Sequence, residues 1–204
     1  MSLLMKIMNR WKVKRVNKSG NQYFKPSITN NKISILINVL FVCLGNICRS
    51  PIAEGVFKQL VKQKHLDNII QCDSAGTAAY HVGSLPDKRM RKVGQENGIT
   101  LTHQSRQLSY NDFTRFGYII AMDESNFDNI RKESFRANGS YLPEHQLYLY
   151  RMFDPQRGSS VTVPDPYYQE NAAFEEVYQI VNRSGMAFLN FLIEKHNLTI
   201  KTSI

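Results

Sequence analysis

Apolar residues fill the stretch from Ile33 to Val42, broken only by Ser34 and Asn38, and many of them are β-branched. Such a run predicts a buried strand of a parallel sheet. The period then changes. From Pro51 to about Lys64 the apolar positions Ile52, Val56, Leu60 and Val61 return every three or four residues, the stripe of a helix with one buried face. A second short strand is expected over Ile69-Ile70-Gln71-Cys72, leading into Ser74-Ala75-Gly76. Pro86 to Asn97 reads as a charged helix that turns Met90 and Val93 inward and stops at Gly98. Tyr118 to Met122 is another buried strand, followed by Asp123 as N-cap of a helix reaching about Lys132. Leu147 to Tyr150 makes a fourth strand. Phe174, Val177, Val181, Phe188, Leu189 and Leu192 mark a long closing helix that ends near Lys195. Strands alternating with helices imply an α/β fold. Its four-stranded parallel twisted sheet is covered by helices on both faces, with ligands at the C-terminal ends of the strands.

Composition narrows this picture. A chain of 204 residues fits one domain with a core large enough to need no staples. No apolar stretch approaches the length of a membrane span. Three cysteines, two of them five positions apart, do not make a secreted-type disulfide framework, and the cytoplasm is the expected compartment. The formal net charge of +9 suggests nucleic acid until it is located. Lys6, Arg10, Lys12, Lys14, Arg15, Lys18, Lys25 and Lys32 carry eight of those nine charges, and no acid precedes residue 39. The remainder is nearly neutral, so no nucleic-acid partner is expected. The basic character belongs to an N-terminal extension, residues 1–32, ahead of a domain over 33–204. In that extension Leu3, Leu4, Ile7, Met8 and Trp11 share one helical face, with Lys6, Arg10 and Lys12 around it. A basic amphipathic helix of this kind suits weak contact with an anionic membrane or a targeting role. A flexible tail, a helix docked on its own domain, or residues preceding a native start at Met5 or Met8 are the plainer readings.

The densest chemistry lies in Cys43-Leu44-Gly45-Asn46-Ile47-Cys48-Arg49-Ser50-Pro51, where the first strand gives way to the first helix. Gly45 and Asn46 tolerate the left-handed backbone of a tight loop. Ser50 and Pro51 read as N-cap and first helical residue, with Glu54 in the first turn. A loop that turns its N–H groups inward at a helix N-terminus is a cradle for a phosphate-like anion. Arg49 can grip two oxygens of that anion as a planar fork. The same positive field favours the thiolate of Cys43, the form that acts as nucleophile. The bland alternative is a buried structural cysteine beside a surface arginine.

Residues 39 to 54, Val-Leu-Phe-Val-Cys-Leu-Gly-Asn-Ile-Cys-Arg-Ser-Pro-Ile-Ala-Glu, resemble the signature loop of the low-molecular-weight protein tyrosine phosphatases. Asp73-Ser74-Ala75-Gly76-Thr77, His103-Gln104-Ser105-Arg106-Gln107 and Asp165-Pro166-Tyr167-Tyr168 match further pieces in the family's order. The similarity runs from about Ile35 to about Lys195 and leaves residues 1–32 without a counterpart.

The resemblance implies a flavodoxin- or Rossmann-like phosphatase fold without cofactor or metal. It implies a phosphotyrosine-containing protein or small aryl phosphate as substrate, and a phosphocysteine intermediate on Cys43. Arg49 is then the phosphate clamp. Leu44, Gly45, Asn46, Ile47, Cys48 and Ser50 are the rest of the phosphate-binding loop. Asp165 is the general acid and later the base, although Asp-Pro is also a common turn initiator. Ser50 gains a second role, donating its hydroxyl to the Cys43 thiolate. Asn46 and His103 brace the loop, and Tyr80, Tyr167 and Tyr168 wall the substrate. All of these have plainer readings as caps, surface histidine or core fillers. Cys48 resembles the family's redox partner, able to form a disulfide with Cys43 that protects it from over-oxidation. Cys72 reads as a small hydrophobe.

Departures from the family's relatives separate the neighbouring chemistries. Arsenate reductases need two relay cysteines beyond the arginine, and here only Cys72 follows. Protein-arginine phosphatases carry threonine where Ile47 stands and favour phenylalanine where Tyr167 stands. Gln169 replaces a frequent glycine after the paired tyrosines. A non-catalytic phosphate-binding scaffold remains the alternative of a different class. No His/Asp/Glu cluster at metal-ligand spacing is visible in the linear sequence.

Overall fold

The computed structural model describes residues 36–199, together with the backbone of two short strands before them, β1 (Ser27–Thr29) and β2 (Lys32–Ser34). The amphipathic pattern of Leu3 to Trp11 lies outside the described residues. β1 and β2 pair antiparallel, Ile28 opposite Ile33, in a sheet of their own. The apolar run is therefore divided. Its first part closes this hairpin, and the parallel strand β3 spans Ile37–Cys43.

β3 is followed by α1 (Arg49–Gln63), β4 (Ile70–Gly76), α2 (Lys88–Glu96), α3 (Asp112–Arg115), β5 (Tyr118–Ala121), α4 (Glu124–Asn138), β6 (Leu147–Leu149), a 3-10 turn (Tyr150–Phe153) and α5 (Asn171–His196). The main sheet has the order β4-β3-β5-β6, and its pairings are parallel. β3 is thus flanked on both sides, and Cys43 ends it beside Gly76 of β4.

The pleat of β3 sorts its side chains into two cores. Ile37, Val39, Phe41 and Cys43 face the larger one, with Val56 and Phe57 of α1 and Phe174, Val181 and Phe188 of α5. Leu40 and Val42 face the smaller one, with Phe113, Phe116 and Ile130. Strand residues alternate faces, so a continuous apolar run is what a strand buried on both faces requires. The result is the expected three-layer α/β sandwich.

Details differ from the sequence expectation where hydrogen bonding overrides local propensity. α1 starts at Arg49 with Cys48 at the cap position, not at Pro51 with Ser50 capping, and no side chain caps it. Ser50 is drawn inward instead. α2 is capped by Asp87, whose carboxylate accepts from Arg89 N–H, and it buries Met90 and Val93 as expected. Gly98, at φ +73°, follows its end. Asp123 caps α4 as expected, accepting from Asn126 N–H, but the helix continues to Asn138 and closes on left-handed Gly139. α3 has only one turn and leaves no periodic signal.

Candidate active site

The loop from Cys43 to Arg49 is held open by its own side chains. Asn46 sits at φ 54°, the left-handed region, and its backbone N–H donates to Cys43 Sγ at 3.2 Å. Its amide nitrogen donates to Ser50 Oγ and Ser74 Oγ, both at 2.9 Å. Its amide oxygen accepts from Arg106 N–H at 2.9 Å and from His103 Nε2 at 2.7 Å. The side chain of this buried asparagine thus has both its polar atoms used twice. Ser50 Oγ lies 3.1 Å from Cys43 Sγ and 3.3 Å from the Ala75 carbonyl. The Asn46 amide occupies one lone pair of this hydroxyl, and its single proton has both the Ala75 carbonyl and the Cys43 sulfur within reach.

Behind this loop lies a polar layer. Ser74 Oγ donates to Glu54 at 2.6 Å, and Glu54 is also paired with Lys58. His103 Nδ1 faces Glu54 at 3.6 Å and Asp73 at 4.0 Å. Arg106 bridges Asp73 and Asp112, each at 2.9 Å. Glu54, Asp73 and His103 bring ligand-type atoms within 4.8 Å of one another, a grouping that linear spacing does not reveal. Their oxygens are committed to Ser74, Lys58 and Arg106, so the grouping braces the loop.

In front of the loop the guanidinium of Arg49 is nearly inaccessible, at 3% exposure. One terminal nitrogen bonds Asp123 at 2.6 Å and the Val163 carbonyl at 3.3 Å; the other bonds Asp165 at 2.5 Å. Burial opposes its charge, but Cys43, Asp165 and Asp123 outweigh burial and hold Arg49 above its ordinary value. Burial also pushes the Cys48 thiol up, reinforced by Asp87, Cys43 and Asp165 against the pull of Arg49. The three described cysteines are free.

The cleft above Cys43 is lined by Leu44, Gly45, Ile47, Cys48, Arg49, Tyr80, His81, Asp165, Tyr167 and Tyr168. Tyr80 and Tyr168 stand almost wholly in solvent at its rim. Tyr167 packs against Tyr168 edge-on, with ring centroids 4.8 Å apart, and against His81 at 5.8 Å. Leu44 is exposed at the mouth, whereas Ile47 is buried below it. Asp165 accepts from Tyr167 N–H through its second oxygen at 3.2 Å. Every residue picked from the sequence for the cleft or its support lies there. Asp123, His81, Arg89 and the Glu54–Ser74 pair were missed. Asp123 alone carried a usable signal, since it follows the C-terminal end of a strand, where open sheets bind ligands.

A thiol, a guanidinium and a carboxylate thus meet in one cleft at the C-terminal edge of the parallel sheet. The family model for low molecular weight phosphotyrosine protein phosphatase matches residues 38–198. A low molecular weight phosphotyrosine protein phosphatase of Gallus gallus is 41% identical over 152 residues, 74% of this chain and 93% of that protein. Among solved structures, a protein tyrosine phosphatase from Entamoeba histolytica is similar with a TM-score of 0.71 at 37% identity, covering 79% of this chain and 99% of the other. DARP, the drosophila arginine phosphatase, is similar with a TM-score of 0.70 at 32% identity, covering 76% and 96%. The chain belongs to the low molecular weight phosphotyrosine protein phosphatase family. Among the described residues no helix is long and apolar enough to cross a membrane.

Proposed function

We propose that this enzyme hydrolyses phosphotyrosine in proteins, and small aryl phosphates, through a phosphocysteine on Cys43. The observation that carries the reading is the convergence of Cys43 Sγ, with its Ser50 and Asn46 donors, and the Arg49–Asp165 pair in one cleft. A phosphate dianion seated in the loop accepts from backbone N–H groups and from the Arg49 fork, replacing Asp165 there. Asp123 keeps the other edge of the fork in place. The thiolate attacks phosphorus along the line of the leaving oxygen, and Asp165 protonates that oxygen as it departs. The same carboxylate then takes a proton from water, which attacks the phosphocysteine and releases phosphate. Tyr80, Tyr167 and Tyr168 supply ring faces to an aryl substrate, while Ser50, Asn46 and His103 keep the loop in shape.

The reading is tested with phenyl phosphate and 2,4-dinitrophenyl phosphate. Cys43→Ser abolishes turnover of both. Asp165→Asn lowers kcat/KM for the phenyl ester by about 100-fold and for the dinitrophenyl ester far less, since the second leaving group needs no proton. Activity retained in Cys43→Ser, or equal losses in Asp165→Asn, refutes the assignment. Phosphoarginine is the second substrate class, because DARP shares the fold. Ile47 and Tyr167 favour the tyrosyl ester, and a panel of phosphotyrosine and phosphoarginine peptides decides between them.

Residues 33–204 are proposed as the phosphatase domain and 1–32 as a basic extension, so a chain beginning at residue 33 keeps full kcat/KM. Cys48 is proposed as the partner that condenses with an oxidised Cys43 sulfenic acid, giving a disulfide and water. That chemistry, and the need for a free thiolate, fit a cytoplasmic setting.

A further inference from the structure

We infer that Arg89 is a positioning residue for Asp165, the centre of a brace that ties the acid-bearing segment to the phosphate loop. The inference rests on the reading of Asp165 as general acid. Arg89 lies on α2, far in sequence from both segments. Its guanidinium donates to the Tyr167 carbonyl at 2.9 Å and to the Gln169 carbonyl at 3.1 Å. These two carbonyls belong to the segment that immediately follows Asp165. The peptide N–H of Tyr167 is also the donor to the Asp165 carboxylate. Fixing Tyr167 therefore fixes the group that orients the acid.

The other side of Arg89 is equally committed. Nε and one terminal nitrogen hold the two oxygens of Asp87 at 3.0 and 2.8 Å, a fork-to-carboxylate pair of defined geometry. The guanidinium carbon lies 4.3 Å from the centre of the Phe174 ring at the start of α5. Asp87 in turn donates its backbone N–H to the Ile47 carbonyl at 2.8 Å, inside the phosphate loop. A continuous path thus runs from Ile47 through Asp87 and Arg89 to Tyr167 and Asp165. The planar fork reaches four acceptor atoms, the two Asp87 oxygens and the two carbonyls, from three separate nitrogens; the single nitrogen of an ammonium has three donors and cannot span all four. The phosphate contacts themselves do not pass through Arg89, so its loss should misplace the acid and spare anion binding.

The test is a leaving-group series in Arg89→Met, Arg89→Lys, Asp165→Asn and the Arg89→Met/Asp165→Asn double variant. A small misplacement of a proton donor costs about tenfold or more where a proton is needed. Arg89→Met is expected to lower kcat/KM for phenyl phosphate by about tenfold and for 2,4-dinitrophenyl phosphate by less than about twofold. Inhibition by inorganic phosphate should stay within about twofold of the parent. In the Asp165→Asn background the same substitution should cost nothing further, because the group it positions is gone. Arg89→Lys keeps the charge over Phe174 and must show the same split if Arg89→Met does not fold. An even loss across leaving groups in the Arg89 variants, beside a graded loss in Asp165→Asn, overturns the brace and leaves the acid standing. An even loss in Asp165→Asn as well overturns both.

Discussion

At the scale of single residues, Asn46 concentrates more of the site than its size suggests. Its backbone adopts a conformation that costs an ordinary L-residue about 1 kcal/mol, and its amide serves Ser50, Ser74, Arg106 and His103. Asn46→Ala should therefore lower stability by about 2–4 kcal/mol, combining strain with stranded partners. Asn46→Gly removes the strain alone. It should recover about 1 kcal/mol of that loss in urea unfolding while leaving kcat/KM as low as in the alanine variant. The catalytic candidates themselves were readable in the sequence because Cys43 and Arg49 share one loop. Their supports were not. Asp123 meets Arg49 across 74 positions and Glu54 meets Ser74 across 20, and only the parallel sheet brings them together. His103 is the middle case, visible as a lone histidine whose use depends on a partner 57 positions away.

Elements were legible in proportion to their periodicity. β3, α1 and α5 carry long patterns and emerged with the right faces buried. The one-turn α3 and the hairpin β1–β2 carry none, and the sequence pattern does not predict them. α1 starts earlier because the Ser50 hydroxyl meets Cys43, Asn46 and Ala75 and not a helix N–H, so it does not cap. Packing between elements has its own narrow points. A Cβ on Gly94 of α2 would stand 2.9 Å from the Ile99 carbonyl, which belongs to the chain returning past that helix. Gly94→Ala gains up to about 1 kcal/mol of helix propensity, but the backbone it meets cannot swing aside. A net loss of about 1–2 kcal/mol is expected. Calorimetry showing a raised Tm would contradict the close approach.

For the molecule as a whole, pH couples to the end of the sheet farthest from the cleft. His196 bonds the Tyr118 hydroxyl at 2.7 Å, and Lys195 lies over the Tyr118 ring. Burial, then the nearby Lys195 charge, lowers the values of both His196 and His145 from their ordinary 6.5. Unfolding therefore takes up protons below that value. The stability present above about pH 6.5 declines as pH falls toward the folded values. A denaturant midpoint measured from pH 7.5 to 5 should drop, and His145→Gln should flatten the slope. At lower pH the sign is the same for carboxylates. Asp154, buried against Arg183 and held below its ordinary 3.8, withdraws its contribution as pH falls through its folded value.

The position of Cys43 at the end of a doubly flanked strand has a further consequence, in the time domain. The amides of Phe41 and Val42 sit in the strand that holds the sheet together, so exchange there needs the whole domain to open. Local breathing can move the tyrosine rim, but it leaves the strand carrying Cys43 in place. Reagents that reach Cys43 must therefore enter by the cleft, at a rate set by the rim and its occupants, while the protein around the sulfur stays folded.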